Sequence, residues 1–273
     1  MPPTAGGTTE RSGQPCLLTT VLVDDLGAAV SLARRPQRVV SLVPSITESV
    51  AATGVLVGAT DYCVHPAELD VTRVGGSKYP SIEQVLACRP DLVLANAEEN
   101  RESDVDALRD AGVTVWTTAA AASVPQACAA LRRMFRAALD VAEPAWLGEA
   151  ERIWSEVPST TERAVVPVWR KPWIVLGRDT FAGDVLLRLG VGNAFADQPE
   201  RYPRPPVTEL QDADLVVLPD EPYAFTAADG PGYFPNTECA LVSGRHLTWW
   251  GPSLVQAHRL LAAELTNRIR GPA

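Results

Sequence analysis

Histidine is scarce in this chain. Only His65, His246 and His258 occur among 273 residues. A protein-built zinc or manganese centre needs several histidines and carboxylates converging, so no resident metal site and no intrinsic cofactor are expected. Cysteines stand at 16, 63, 88, 128 and 239, an odd number without a C-x-x-C pair. That pattern excludes a disulfide scaffold and reads as buried thiols. No apolar run approaches the ~20 residues of a membrane span. The phosphate motifs G-x-x-x-x-G-K-[ST] and G-x-G-x-x-G are missing, and Gly75-Gly76-Ser77-Lys78 is only a superficial echo. The G-x-S-x-G elbow of hydrolases is missing too. Positive charge is in deficit: 24 Lys and Arg against 33 Asp and Glu leave a net charge of -9. That excludes a nucleic-acid surface or an anionic-membrane binder. The first sixteen residues, MPPTAGGTTERSGQPC, lack a basic n-region and an apolar h-region. Cys16 likewise has no hydrophobic segment before it to make a lipidation site. The expectation is a chain that stays in the cytoplasm, or a sequence that is not the exported precursor.

What remains is an ordinary globular composition, 46% hydrophobic and 21% charged. The length supports one large domain or two lobes that bury roughly three quarters of the unfolded surface. Residues 1–16 read as a flexible, Gly-, Thr- and Pro-rich tail. Residues 17–23 and 28–32 flank Asp24-Asp25-Leu26-Gly27 as a hairpin. The chain is organised around residues 38–66, RVVSLVPSITESVAATGVLVGATDYCVHP. Residues 39–43 form a β-branched apolar run, a strand buried on both faces, which Pro44 stops. Ser45 with Glu48 fits a capping box, so a helix should start at Ile46 and end at Gly54. Residues 55–59 return as a second parallel strand.

Ser81 caps a helix through Ala87, residues 91–95 and 113–117 are strands, and residues 104–111 are helical. Residues 124–157 are Ala- and Arg-rich and helical, with Pro144 as a kink or break. The α/β alternation then resumes. Strands are expected at 164–168, 173–176, 215–218 and 240–242, and helices at 185–189 and 253–269. The division is a lobe over 17–123, a bridging helical segment over 124–157, and a second lobe over 158–273. The fold class is α/β, two Rossmann-like lobes joined by a long bridging helix with a ligand cleft between them. Ligands in open α/β sheets sit beyond the carboxyl ends of the strands.

At those ends stand Tyr62, Cys63, His65, Lys78, Tyr79, Asn96, Arg101, Arg178, Phe181, Tyr202, Tyr223, Phe225, Trp249 and Trp250. Aromatic residues make up only 6% of the chain yet recur in these loops. Large amphipathic rings suit a wide, flat, partly apolar ligand. Lys78, Arg101 and Arg178 could meet carboxylates or amide oxygens on its rim. Cys63 and His65, one residue apart on an extended segment, would share a face. They leave open a metal-bearing ligand, or catalysis without a visible third partner.

In order along the chain, Asp24-Asp25-Leu26-Gly27, Arg38 to Ser45 with Thr47-Glu48, Val57 to Tyr62, Val74-Gly75-Gly76 and Arg89 to Leu94 resemble the class III substrate-binding proteins of ABC importers. These are the helical-backbone metal receptors that bind cobalamin, ferric siderophores or haem. The resemblance is nearest to the cobalamin-binding branch. It implies two Rossmann-like lobes, a monomer, and a non-enzymatic protein that delivers a corrinoid or related chelate to a permease. It also implies that Tyr62 stacks on the ligand, that Tyr202 and Trp249 lie near second-lobe aromatic contacts, and that Glu83 and Glu209 dock on permease arginines. A glutamate at a helix start is equally what the helix dipole favours. Lys78 and Asn96 stand where that branch has further tryptophans, so a more polar pocket is expected. The alternatives are a siderophore or haem binder, or a cytoplasmic chelate-binding protein or enzyme using Cys63 and His65.

Overall fold

Short runs rich in valine and leucine dictate two parallel sheets with helices packed between and around them. The structure, a computed structural model, describes residues 20–271. The expected tail, Cys16 and residues 17–19 of the first strand lie outside the described residues. An antiparallel hairpin comes first, β1 (Thr20–Val23) and β2 (Ala29–Leu32). Asp24 closes its turn by accepting the backbone N–H groups of Leu26 and Ala28 at 3.0 and 2.9 Å, as a turn aspartate does.

The first lobe then runs β3 (Val39–Ser41), α1 (Pro44–Val50), β4 (Leu56–Ala59), β5 (Thr72–Arg73), α2 (Ile82–Ala87), β6 (Leu92–Asn96), α3 (Glu102–Asp110) and β7 (Val115–Thr118). Its sheet has the order β5-β4-β3-β6-β7, all parallel. Gly54 ends the α1 region in the left-handed conformation, φ 73°, and Ser81 caps α2 by accepting the N–H of Gln84 at 3.3 Å. The capping box at Ser45 is not formed. Helix α1 begins at Pro44, with Val43 at the N-cap and no side-chain cap. Proline needs no N–H partner at the first helical position, so it opens this helix. Ser45 is buried, and its carbonyl accepts the Ser49 hydroxyl at 2.8 Å.

The bridge is two helices. Helix α4 (Val124–Arg133) continues through a π turn at Met134–Ala138. The chain then turns, with Asp140 at φ 51°, and α5 (Ala145–Ile153) starts behind Pro144. The second lobe contains β8 (Glu162–Val165), β9 (Pro167–Trp169), β10 (Ile174–Val175), α6 (Phe181–Arg188), β11 (Val191–Asn193), β12 (Leu215–Pro219), β13 (Glu238–Val242), α7 (Gly244–Thr248), α8 (Leu254–Thr266) and β14 (Arg268–Ile269). Its sheet is β11-β8-β12-β13-β14, parallel except for β14.

Several expectations for this lobe are corrected. The apolar run 164–168 is two strands: β8 stays in the sheet, while β9 leaves it to pair antiparallel with β10. Helix α6 starts four residues before the expected 185. The stretch expected as one helix over 253–269 ends at Thr266, and β14 follows on the edge of β13. Strand β11 and helix α7 carried no signal strong enough to register.

Alternation inside the strands divides the core. Val39, Leu92, Leu94 and Trp116 join Leu131, Phe135, Leu147 and Trp154 of the helical layer and Leu215, Val217 and Leu261 in one central cluster shared by both lobes. Val40, Val93, Val85 and Leu108 fill the far side of the first sheet. Val216, Leu218, Phe225 and Phe234 fill the far side of the second. Strands buried on both faces follow from this layering.

Candidate ligand site between the lobes

The loop after β4 is pinned by a thiol. Cys63 is fully buried, its Sγ 3.0 Å from Thr47 Oγ1 and 3.1 Å from Thr60 Oγ1. Arg73 donates to the Thr60 and Cys63 carbonyls at 3.0 and 2.8 Å. Burial pushes the Cys63 thiol up, against the pull of the two threonine hydroxyls and Arg73. A neutral, enclosed thiol is a poor nucleophile and a poor ligand. Cys63 is therefore an anchor, and the expectation that it faces the ligand beside His65 is corrected.

Pinning Cys63 inward leaves Tyr62 on the outside at 66% exposure. Its ring rests on Gly76, where an added Cβ would lie 3.4 Å from Cε2. Tyr79, 71% exposed, stands on the next loop, under the Arg101 guanidinium at 4.3 Å. Arg101 also pairs with Asp104 at 2.7 Å. His65 reaches the second lobe, edge-on to Trp249 with ring centroids 5.6 Å apart. Desolvation and nearby Arg245 hold its imidazole below the usual range, with Glu48 opposing.

Asn96 is buried, contrary to its expected place at the ligand. Its amide donates to Thr118 Oγ1 at 3.0 Å and the Ala119 carbonyl at 3.1 Å, and its Oδ1 accepts from the backbone of Glu98 and Glu99. Asn100 completes the frame by donating to the carbonyls of Leu42 and Ser77 at 3.2 and 2.9 Å. These two side chains present Glu98 to the other lobe. Its Oε1 accepts from Tyr202 Oη at 2.7 Å and Arg201 Nη2 at 3.0 Å, while Lys78 donates to its carbonyl. A second cross-lobe pair lies deeper, between Glu48 of α1 and Arg245 of α7. The Arg245 guanidinium also stands 5.6 Å over the Trp249 ring.

Residues 39–215 match the sequence model of a family described as periplasmic binding protein. The chain belongs to the periplasmic binding protein family. It is 28% identical over 227 residues to the uncharacterized ABC transporter substrate-binding lipoprotein YvrC of Bacillus subtilis, covering 77% of this chain and 69% of that one. It is 28% identical over 204 residues to the vitamin B12-binding protein of Salmonella choleraesuis, covering 71% and 73%. Among solved structures it resembles a periplasmic heme-binding protein of Pseudomonas aeruginosa, with a TM-score of 0.68, 25% identity and coverage of 87% and 96%. The periplasmic vitamin B12-binding protein of Vibrio cholerae shares the fold at a TM-score of 0.64, 19% identity and coverage of 85% and 97%.

In this periplasmic binding protein the strand-end loops bring Tyr62, His65, Lys78, Tyr79, Arg101, Tyr202 and Trp249 to the surface or to the seam between lobes. Three expected contacts are core residues instead. Phe181 is the first residue of α6 and packs in the central cluster, as does Trp250, while Phe225 lies behind the second sheet. Arg178 is exposed and paired with Asp179 at 2.7 Å. Tyr223 belongs to a cluster on the β9–β10 hairpin, where its hydroxyl donates to Asp229 at 2.6 Å and accepts from Arg170 at 2.9 Å.

Sequence reasoning missed Glu98, Arg201, Glu221 and Arg245 as individuals. The available signal was position: each is a charged residue in or beside a segment that follows a strand. Glu221 and Glu99 carry carboxyls raised above the usual range. For Glu221 the leading cause is desolvation, then Asp220. For Glu99 desolvation leads, with Lys78 opposing and Glu98 adding. The seam is thus polar and rich in carboxylates.

Proposed function

We propose that this protein is the substrate-binding component of an ABC-type importer and holds a corrinoid, or a closely related metal chelate, between its lobes. The observation that carries the reading is the set of large rings kept out of the core at the strand ends: Tyr62 and Tyr79 exposed on one lobe, and on the other Tyr202 exposed and Trp249 half-buried. Leaving such rings in water forgoes burial, and flat ligands reward it by stacking. Vitamin B12-binding relatives support the corrinoid, and the ABC transporter relative supports the importer. Its role is to bind and deliver its ligand, without catalysis. Glu83 in the first turn of α2 and Glu209 in the 3₁₀ turn Val207–Gln211 are exposed and would dock on permease arginines, one from each lobe.

Titration with cyanocobalamin, haemin and a ferric siderophore, followed by tryptophan fluorescence, tests this reading. Cyanocobalamin should quench, and Tyr62→Ala should weaken its binding by at least ~1 kcal/mol, the scale of a lost aromatic contact. Absence of quenching by all three ligands sinks the proposal. One observation favours haem: His65 stands at the seam, edge-on to Trp249, and desolvation lowers its imidazole, which suits an iron ligand. A Soret shift lost in His65→Ala would decide for it.

A further inference from the structure

The seam contains three buried polar atoms without a partner: Glu48 Oε2, Arg245 Nε and Glu221 Oε1. They belong to one neighbourhood. Arg245 joins Glu48 across the lobes through Nη2 and Oε1, and Gly244, the residue before it, packs directly against Glu221, leaving no room for a Cβ. The Glu48 side chain is only 10% exposed, so its free oxygen is held away from bulk water. Unpaired groups of this kind are destabilising, and buried polar atoms in folded proteins are normally satisfied. Gly251 brings the segment behind Trp249 against α1, within 3.6 Å of Glu48 Oε2 for an added Cβ. The three atoms therefore lie where the lobes meet, and parting the lobes opens them to whatever enters.

Their chemistry is specific. Glu48 and Glu221 each offer an acceptor, and Arg245 offers one N–H donor. A primary carboxamide is the complement, because its NH₂ donates twice and its carbonyl accepts. A carboxylate brings no donor and adds a third negative charge beside two. We propose that Glu48, Arg245 and Glu221 form a carboxamide-reading subsite that makes this protein select amide-bearing corrinoids over chelates decorated with carboxylates. The inference rests on the corrinoid reading of the cleft. The other charges at the seam agree with it. Glu98 already occupies Arg201, and Lys78 donates to a carbonyl. The two guanidinium groups that join the lobes, Arg201 and Arg245, are thus each already paired with a carboxylate of this chain. A raised Glu221 carboxyl fits an acceptor crowded by its own kind.

The test compares dicyanocobinamide with dicyanocobyrinic acid, which share the corrin ring and differ chiefly in carrying amides or carboxylates around it. Binding is read by tryptophan quenching and calorimetry on the wild type, Glu221→Gln and Tyr62→Ala. Wild type should bind the amide probe at least about 10-fold more tightly, since like charges across a desolvated interface repel strongly. Glu221→Gln should narrow that ratio at least about 3-fold. This variant should fold, because Glu221 forms no ion pair among the described residues. Tyr62→Ala should weaken both probes and leave the ratio unchanged. Equal binding of the two probes by wild type, or an unchanged ratio in Glu221→Gln, overturns the inference and leaves the functional reading standing. Binding of neither corrinoid overturns the functional reading, and the inference with it.

Discussion

Replacing Gly251 by alanine should loosen the contact between the lobes, and the size of the effect follows from the packing around it. An added Cβ would stand 2.8 Å from Ser49 Oγ and 3.0 Å from the Ser45 carbonyl. Both atoms belong to α1, and they are hydrogen-bonded to each other. A serine hydroxyl can rotate away, but a helix carbonyl cannot, so the segment 249–251 must shift. Forcing one extra carbon into a tight contact costs about 1–3 kcal/mol. Against that, alanine restricts the unfolded chain and recovers about 0.4–1 kcal/mol. The net loss is about 0–2.6 kcal/mol, with a central value of about 1.3. In a chain of this size each kcal/mol moves Tm by about 2–4 °C, so calorimetry should show a fall of about 3–5 °C at that central value. Gly148→Ala is the control, because nothing lies within 4 Å of a Cβ there and the residue sits inside α5. It should gain about 0.5–1 kcal/mol from helix propensity alone. Adding Ser49→Ala to Gly251→Ala should restore part of the loss by removing the nearer atom. If Gly251→Ala matches Gly148→Ala in raising Tm, the close approach of α1 to this segment is refuted.

Three further predictions use other features. Asn96→Ala removes the side chain that fixes the loop carrying Glu98 and Glu99. At about 1 kcal/mol per hydrogen bond it should lose about 2–4 kcal/mol in urea unfolding and weaken ligand binding as well; a stability change without a binding change would separate the loop from the site. Glu221 has a raised carboxyl, so the folded state binds its proton more tightly than the unfolded state. Its contribution to stability is present in acid and is lost as pH rises through the raised value. Glu221→Gln should therefore raise Tm at pH 7 to 8 and change it little near pH 4, and the opposite trend would contradict the burial of that carboxylate. Tyr202→Phe should cost about 0.5–1.5 kcal/mol, because the lost hydrogen bond to Glu98 is charge-assisted but exposed, read in a double-mutant cycle with Glu98→Ala; additive effects would show that the two do not couple across the lobes.

The first lobe was legible because its signals are local. The valine run at β3, Gly54, the Ser81 cap and the strand at β6 each need only a few neighbouring residues. The bridging region was legible as helix, yet the π turn and the reversal at Asp140 have no short-range signature. The second lobe defeated periodicity at residues 164–168, because β8 and β9 are both buried and a continuous apolar run cannot show where the chain changes sheets. The site was read less well for two reasons. Composition cannot tell a ring in a loop from a ring in the core, which misplaced Phe181, Phe225 and Trp250. Spacing put Cys63 beside His65, but the turn that lets the Cys63 N–H bond the Thr60 carbonyl at 3.1 Å sends the thiol inward. The ion pairs that join the lobes connect residues 103 and 197 positions apart, a distance no local pattern spans.

The central cluster has a consequence for how the chain is made. All five strands of the first sheet come from residues before 119, so that sheet can assemble while the rest is still being synthesised. Its far face is closed by α2 and α3 from the same stretch. Its near face, with Val39, Leu92, Leu94 and Trp116, shares the cluster with Leu261 and Leu265, which arrive only with α8. A chain halted after α3 and β7 would therefore carry a finished sheet with one apolar side covered only in part, by α1. Premature termination anywhere before α8 should yield aggregating fragments, and a growing chain has reason to be held by a chaperone until its last helix emerges.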